Sequence, residues 1–301
     1  MTVQTSASLG HNGGALLATA LCGHIIFSER LPAVVIKGPI ATAWGLRPPR
    51  PSADVDILTD SFGEGVLLRI LGERGWTCRP TDSSDIVPVH SSTVFHPSWD
   101  IDIDIHTWYP GFEATSREVL REVLSGSVVE QVAGVAVPAA GRTAMAVIQA
   151  LHALRSPWLE RSQADLEHLV SSPSLPSLDA LLEFAEPTGA TGALRPFLEC
   201  AYGDQLDNRP LAEPSAAWTG RLAESVPGRL RWRAIRQAKG GRRAILLYRA
   251  VIPSRQTMAS RDIQLLEAGR GRYWLAVWLR LFAFLRWLAA PQRRRRSTAR
   301  G

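Results

Sequence analysis

Lysine is almost missing from this chain: Lys37 and Lys239 stand alone against 32 arginines. A lone lysine at the end of an apolar run suggests a need for a compact ammonium there, with chance as the competing reading. Cysteine is scarce too. Cys22, Cys78 and Cys200 are odd in number, far apart and without a CxxC pair. That excludes a zinc ribbon or a disulfide framework and makes a reducing cytoplasm the natural setting. No Lys or Arg precedes the first apolar stretch, residues 15–21, so it reads as a helix rather than a secretory signal. No internal repeat is present. The long apolar stretch near the end, residues 273–290, is interrupted by Arg280 and Arg286. Each would cost about 2.5–3.5 kcal/mol at a bilayer centre, so a membrane span is a poor reading.

What is there in quantity is hydrophobic: 46% of the 301 residues, with 21% charged. A sizeable core can be buried and global disorder is excluded. The net charge of +6 hides an asymmetry: residues 221–301 carry +17 and residues 1–220 carry −11. An acidic front that binds metal, with a basic end that meets phosphate or anionic lipid, is one reading. Solvated helices with an arginine bias are the other.

Residues 12–30 read as a helix. The β-branched run of residues 33–36, ending in Lys37-Gly38, reads as a buried strand, and Pro39 suits the first turn of a following helix. Prolines make residues 46–52 a loop. Residues 54–60 form a second strand and 62–75 a second long helix. Residues 86–96 and 99–108 read as two extended runs around a turn at Pro97-Ser98. In the second run Asp100, Asp102, Asp104 and His106 share one face, and Ile101, Ile103 and Ile105 the other. Ala144, Val147, Ile148, Leu151 and Leu154 then follow helical spacing, Ser156-Pro157 breaks the helix, and Trp158, Ser162, Asp165 and Leu169 stripe the next one. The rest is mainly helical.

The order predicts an α+β fold: a small mixed β-sheet with an N-terminal helix, followed by a mainly helical C-terminal region. The expected division is 1–137 for the sheet domain, 138–292 for the helical domain and 293–301 for a basic disordered tail.

Asp54 and Asp56 lie two apart on a strand and leave the same face. Like charges that close repel, and a divalent cation between them relieves this. Asp104 can add a third ligand from a neighbouring strand, with Asp102 as its rival. Three carboxylates can hold two magnesium ions roughly 3.5–4 Å apart, an arrangement that serves in-line phosphoryl chemistry. The competing reading is an acidic strand edge that blunts aggregation. Gly38 lets backbone approach a phosphate, and the helix after it points N–H groups at an anion.

Residues 34–60 resemble the front signature of an uncharacterised bacterial nucleotidyltransferase group in the DNA polymerase beta-like superfamily. There a hydrophobic strand ends in Lys-Gly, and an Arg precedes a DxDxL strand. Lys37, Gly38, Arg50, Asp54, Asp56 and Leu58 match. Asp104 and His106 match a later Asp-x-His strand, although Trp108 falls one residue further on than in that group. His152 and Asp165 match a helical pair, and the basic, aromatic C-terminal helix is similar as well. The resemblance spans roughly residues 12–290. It implies a nucleotidyltransferase core, magnesium at Asp54, Asp56 and Asp104, and a nucleoside triphosphate bound by Lys37, Gly38 and Arg50. The wider superfamily has Gly-Ser or Gly-Gly where this chain has Lys37-Gly38. The acceptor is not implied.

The expected function is magnesium-dependent transfer of a nucleoside monophosphate from an NTP to an acceptor. The alternatives are a non-catalytic nucleotide-binding or regulatory protein, or a peripheral partner of membrane or nucleic acid through the basic end. Location is expected to be cytoplasmic, with attachment at the membrane left open. His106 can orient a ligand or assist proton transfer, or be a plain strand histidine. Arg50 can bind triphosphate or tie down the proline loop. His152 and Asp165 are expected to pair across the helical hairpin. Residues 273–290 either lie on an anionic membrane surface with the arginines at 293–296 or, the preferred reading, dock on the helical region.

Overall fold

The structure, a computed structural model, describes residues 11–80, 91–206, 209, 211–225, 229–259, 265 and 268–289. The expected basic tail, 293–301, and the first part of the run expected at 86–96 lie outside the described residues.

The strands expected from the sequence are present as β1 (Ala33–Ile36), β2 (Asp54–Thr59), β4 (Ser91–His96) and β5 (Trp99–His106). Three more join them: β3 (Thr77–Cys78), β6 (Val128–Val132) and β7 (Val135–Ala139). Together they form one seven-stranded sheet in the order β3-β4-β5-β2-β1-β7-β6. The sheet is mixed: β2 runs parallel to β5 and β1 parallel to β7, whereas the β1–β2, β3–β4, β4–β5 and β6–β7 pairs are antiparallel. The β6–β7 hairpin closes through Ala133 and Gly134, both at positive φ, 49° and 77°. Two such residues match the right-handed twist of the strands they join.

The period-two pattern of β5 decides which side is core. Ile101, Ile103 and Ile105 are buried with Val55 and Ile57 against α1 (His11–Ser28) and α3 (Ser61–Glu73). Each isoleucine so buried contributes about 1.5–3 kcal/mol. α1 crosses β7 closely at Gly23, where a Cβ would meet Val137 at 2.6 Å. The short α2 (Gly38–Ala43) follows β1.

A second and larger core lies among α4 (Ser116–Ser125), α5 (Arg142–Leu154), α6 (Glu160–Val170), α7 (Leu178–Thr188) and α8 (Thr191–Tyr202), reaching Val34, Ile36 and Leu58 of the sheet. Every residue of α5 from Ala144 to Leu151 is buried, so this helix is the axis of the helical layer.

The chain divides into two compact units, one ending at Arg229 and the other formed mainly by residues 230 onward. A boundary at 137/138 would cut β7, whose residues 135–139 belong to the sheet, and would part α5–α8 from the core they share with it. The first unit also contains α9 (Ala216–Ser225). The second contains α10 (Arg229–Gln237) from Leu230 on, α11 (Gly240–Val251), α12 (Arg255–Ala259) and α13 (Arg270–Ala289). No described helix is long and apolar enough to cross a membrane.

Candidate functional site

The parallel register of β2 and β5 sets Asp56 opposite Asp104 and Asp54 opposite Asp102. Side chains alternate along both strands, so all four carboxylates share one face of the sheet, together with His106. Asp54, Asp56 and Asp104 therefore stand on one side of the sheet.

Charge within this face is unevenly compensated. Asp56 is 3% exposed. Its Oδ1 lies 2.7 Å from Lys37 Nζ and 2.9 Å from His106 Nε2. Burial alone would raise its pKa; the Lys37 ammonium and the His106 hydrogen bond reverse that and hold it well below the usual carboxylate range. Lys37, only 7% exposed, is pulled the other way. Burial disfavours its charge, and Asp56 more than restores it, so the ammonium is firmly held. Its Nζ also sits 5.5 Å from the centroid of the Tyr109 ring.

Among the described residues, no cation lies as close to Asp54 or Asp104. Burial and the neighbouring Asp56 charge push Asp54 up to about 6. The same two causes raise Asp104, which accepts a hydrogen bond at Oδ1 from the Thr93 hydroxyl on β4.

Among the described residues, one group of ligand atoms lies within 4.8 Å of one another: those of Asp56, Asp104 and His106. His106 thus stands in the tight group, and Asp54, on the same face, lies outside it. The register is the reason. His106 stands beyond Asp104 on β5 and reaches toward Asp56, while Asp54 is two residues along β2 in the other direction.

Lys37 has φ 63° and ψ −149°, a conformation costly for a residue with a side chain. Its backbone N–H donates to Met145 Sδ at 2.9 Å, tying the end of β1 to the axis of the helical layer. Gly38 follows at φ 61°. α2 spans only six residues and has Pro39 in its first turn, which removes one N–H donor. The anion site expected at its start is correspondingly lean.

Arg50 is committed elsewhere. Its two Nη atoms form a bidentate pair with Asp165 of α6, one of the contacts at 2.6 Å. This binds the proline loop to the helical layer. Asp165 therefore does not pair with His152 as expected. His152 Nδ1 lies 3.3 Å from the Tyr109 hydroxyl, and burial followed by the positive charges of Lys37 and Arg155 keeps it neutral. The Tyr109 ring in turn packs 5.5 Å from that of His106. A path of contacts thus runs from His152 through Tyr109 to His106 and Lys37.

Thr93, Tyr109, Met145 and Arg47 were not singled out by sequence. Arg47, rather than Arg50, supports the approach to β2: it donates to Ser52 Oγ at 2.9 Å and to the Pro51 carbonyl at 3.2 Å. Tyr109 had a usable signal, three residues after the His106 strand end. Thr93 had one in the alternation of β4.

No family model matches the chain, and no curated protein matches it. The solved structures similar to it include two nucleotidyltransferase-type proteins. One is an antigenic nucleotidyltransferase-like protein from Paracoccidioides brasiliensis, with 10% identity, covering 62% of this chain and 93% of that one, at a TM-score of 0.36. The other is the antibiotic-resistance factor ANT(2'')-Ia, with 15% identity, covering 64% of this chain and 90% of that one, at a TM-score of 0.34. Likenesses of this size carry no argument about activity, which has to come from the residues on the β2–β5 face.

Proposed function

We propose that the chain is a metal-dependent nucleotidyltransferase that moves a nucleoside monophosphate from a nucleoside triphosphate to an acceptor hydroxyl, amine or phosphate. One observation carries the reading: Asp56 and Asp104 face each other across parallel strands, with Asp54 beside them and too few cations to balance three carboxylates. Raised pKa values at Asp54 and Asp104 mark negative charge that a divalent cation would relieve. The oxygens of Asp54, Asp56 and Asp104 suit magnesium, which prefers oxygen ligands, and His106 then serves to orient Asp56. When bound, the cation offsets triphosphate charge and makes the acceptor easier to deprotonate. With Lys37 already on Asp56, the arrangement favours a single resident cation, and any second one arrives with the triphosphate.

In the reaction the acceptor oxygen or nitrogen bonds to the α-phosphorus, the bond from that phosphorus to its bridging oxygen breaks, and pyrophosphate leaves. In this reading Asp104 receives the acceptor's proton. Thr93 occupies one of its oxygens and leaves the other for that proton. Lys37 and Gly38 border the same face and support a triphosphate-binding role, whereas Arg50 reaches one only by leaving Asp165. Free cysteines at Cys22, Cys78 and Cys200 fit a cytoplasmic location.

The test is transfer of label from each of the four α-labelled NTPs into lysate small molecules and proteins, with thermal unfolding measured in parallel. Transfer that requires magnesium and is lost in Asp56→Asn supports the enzyme. A thermal shift without label transfer supports the second reading, a nucleotide-binding regulatory module, which the prior claim of Lys37 on Asp56 favours. No shift with any NTP sinks both.

A further inference from the structure

The second unit presents apolar surface that its own core does not use. In α11 the residues Ala244, Leu247, Tyr248 and Val251 are spaced as one helical stripe, with Arg243 at its edge and Arg242 and Arg249 on the other side. Such a stripe normally packs inward. No described residue of α11 is buried, and Leu247, Tyr248 and Val251 are exposed.

α13 repeats the pattern on a larger scale. Its Tyr273 and Val277 enter a small core with Met258 and Leu265. Another side offers Trp274, Leu275, Trp278, Leu279 and Phe282 to solvent, with Trp278 at 68% and Phe282 at 60% exposure. The i, i+4 spacing makes this strip continuous along the helix. Exposed Arg270, Arg272 and Arg286 border it. The packing of the second unit's own core leaves this strip uncovered.

We propose that this unit binds an anionic membrane surface through the apolar faces of α11 and α13. Two tryptophans and a phenylalanine on one strip suit the headgroup boundary, where aromatic rings are favoured. Arginines beside an apolar face let the rings enter the acyl boundary while guanidinium groups stay with lipid phosphates. The charge matches, since residues 221–301 hold 20 basic and 3 acidic residues. A nucleic acid would leave Leu247, Val251, Leu275 and Leu279 without a partner, because phosphates and base edges do not reward aliphatic surface. Attachment is to one leaflet, since no described helix spans.

The test uses the full chain with vesicles of phosphatidylcholine alone and of phosphatidylcholine with about a quarter phosphatidylglycerol. Flotation and a blue shift of tryptophan emission read binding. Binding roughly tenfold or more tighter to the anionic vesicles, and weakened by salt, is expected. Trp278→Glu with Leu279→Glu should abolish it. Both side chains are exposed, so circular dichroism should be unchanged; if it changes, Trp278→Ala alone should still weaken binding severalfold. Equal binding to both vesicles, no binding by the wild type, or undiminished binding by these variants overturns the proposal. So does a lipid-free dimer, seen by light scattering, that Trp278→Glu dissociates, because the strip then covers a second copy of the chain.

Discussion

The ammonium of Lys37 lies 2.7 Å from Oδ1 of Asp56, and both groups are nearly buried. Lysine here acts as a resident cation for a carboxylate that a divalent ion would otherwise hold. Removing one partner of a buried pair leaves the other uncompensated, at about 3–5 kcal/mol. Lys37→Met should therefore destabilise the metal-free protein by that order, measured by urea unfolding in EDTA. The same variant should bind manganese about tenfold more tightly by calorimetry, because a competing charge is gone. Weaker manganese binding in Lys37→Met would refute the competition.

Asp56→Asn keeps shape and removes charge. It should reduce nucleotidyl transfer at least 100-fold, the order typical of losing preorganised charge at a reacting centre. The midpoint shift that magnesium and NTP give the wild type should vanish with it. Equal shifts in the two proteins would remove Asp56 from the metal site.

Asp54 gives a pH signature. Its pKa rises from 3.8 to about 6 on folding, so its protonated form stabilises the native state. That contribution is full below 3.8 and lost as pH rises through about 6, about 2–3 kcal/mol in all. In EDTA, wild type should lose this stability between those pH values relative to Asp54→Asn. Asp56 works in the opposite sense: its depressed pKa gives stability above the ordinary carboxylate range that disappears as pH falls below it. Cation binding should release protons near pH 6, and calorimetry in buffers of different ionisation enthalpy checks that. Parallel stability curves for wild type and Asp54→Asn would contradict the assignment.

The Arg50–Asp165 pair is half-buried and bidentate. Asp165→Ala should cost about 2–3 kcal/mol, less than a fully buried pair because water reaches it. If Arg50 serves only as this tie, KM for NTP stays within about twofold once the protein is folded. A KM change larger than about tenfold would restore Arg50 to the triphosphate.

The face of β5 was legible because period two is unambiguous over Trp99–His106: three isoleucines one way, acids and His106 the other. The helix at Arg142–Leu154 was legible for the same kind of reason. The β6–β7 hairpin was not. Its strands flank Ala133-Gly134 rather than an Asn-Gly turn, and Pro138 sits inside β7, so no strand is expected there from sequence. Pairings were less legible still. Arg50 with Asp165 and Tyr109 with His152 join residues far apart in sequence, and only the packed chain chooses among candidate partners. His106 was weighed as an orienting group, but its contact with Asp56 depends on a register that composition does not encode.

The order of strands in the sheet carries a consequence for biosynthesis. β2 meets β5 only after the intervening segment has crossed back, and β1 gains its second neighbour only when β7 has emerged. During translation Asp54 and Asp56 therefore exist first with Lys37 alone nearby, and Asp104 and His106 join them later. A chain ending before β5 carries Lys37 and Asp56 without the rest of the cluster. Capture of a cation by these residues would consequently be a late event in the maturation of this chain, coupled to completion of the sheet. Fragments ending ahead of residue 99 should show no cation-dependent protection from proteolysis, while chains extending beyond α5 should acquire it.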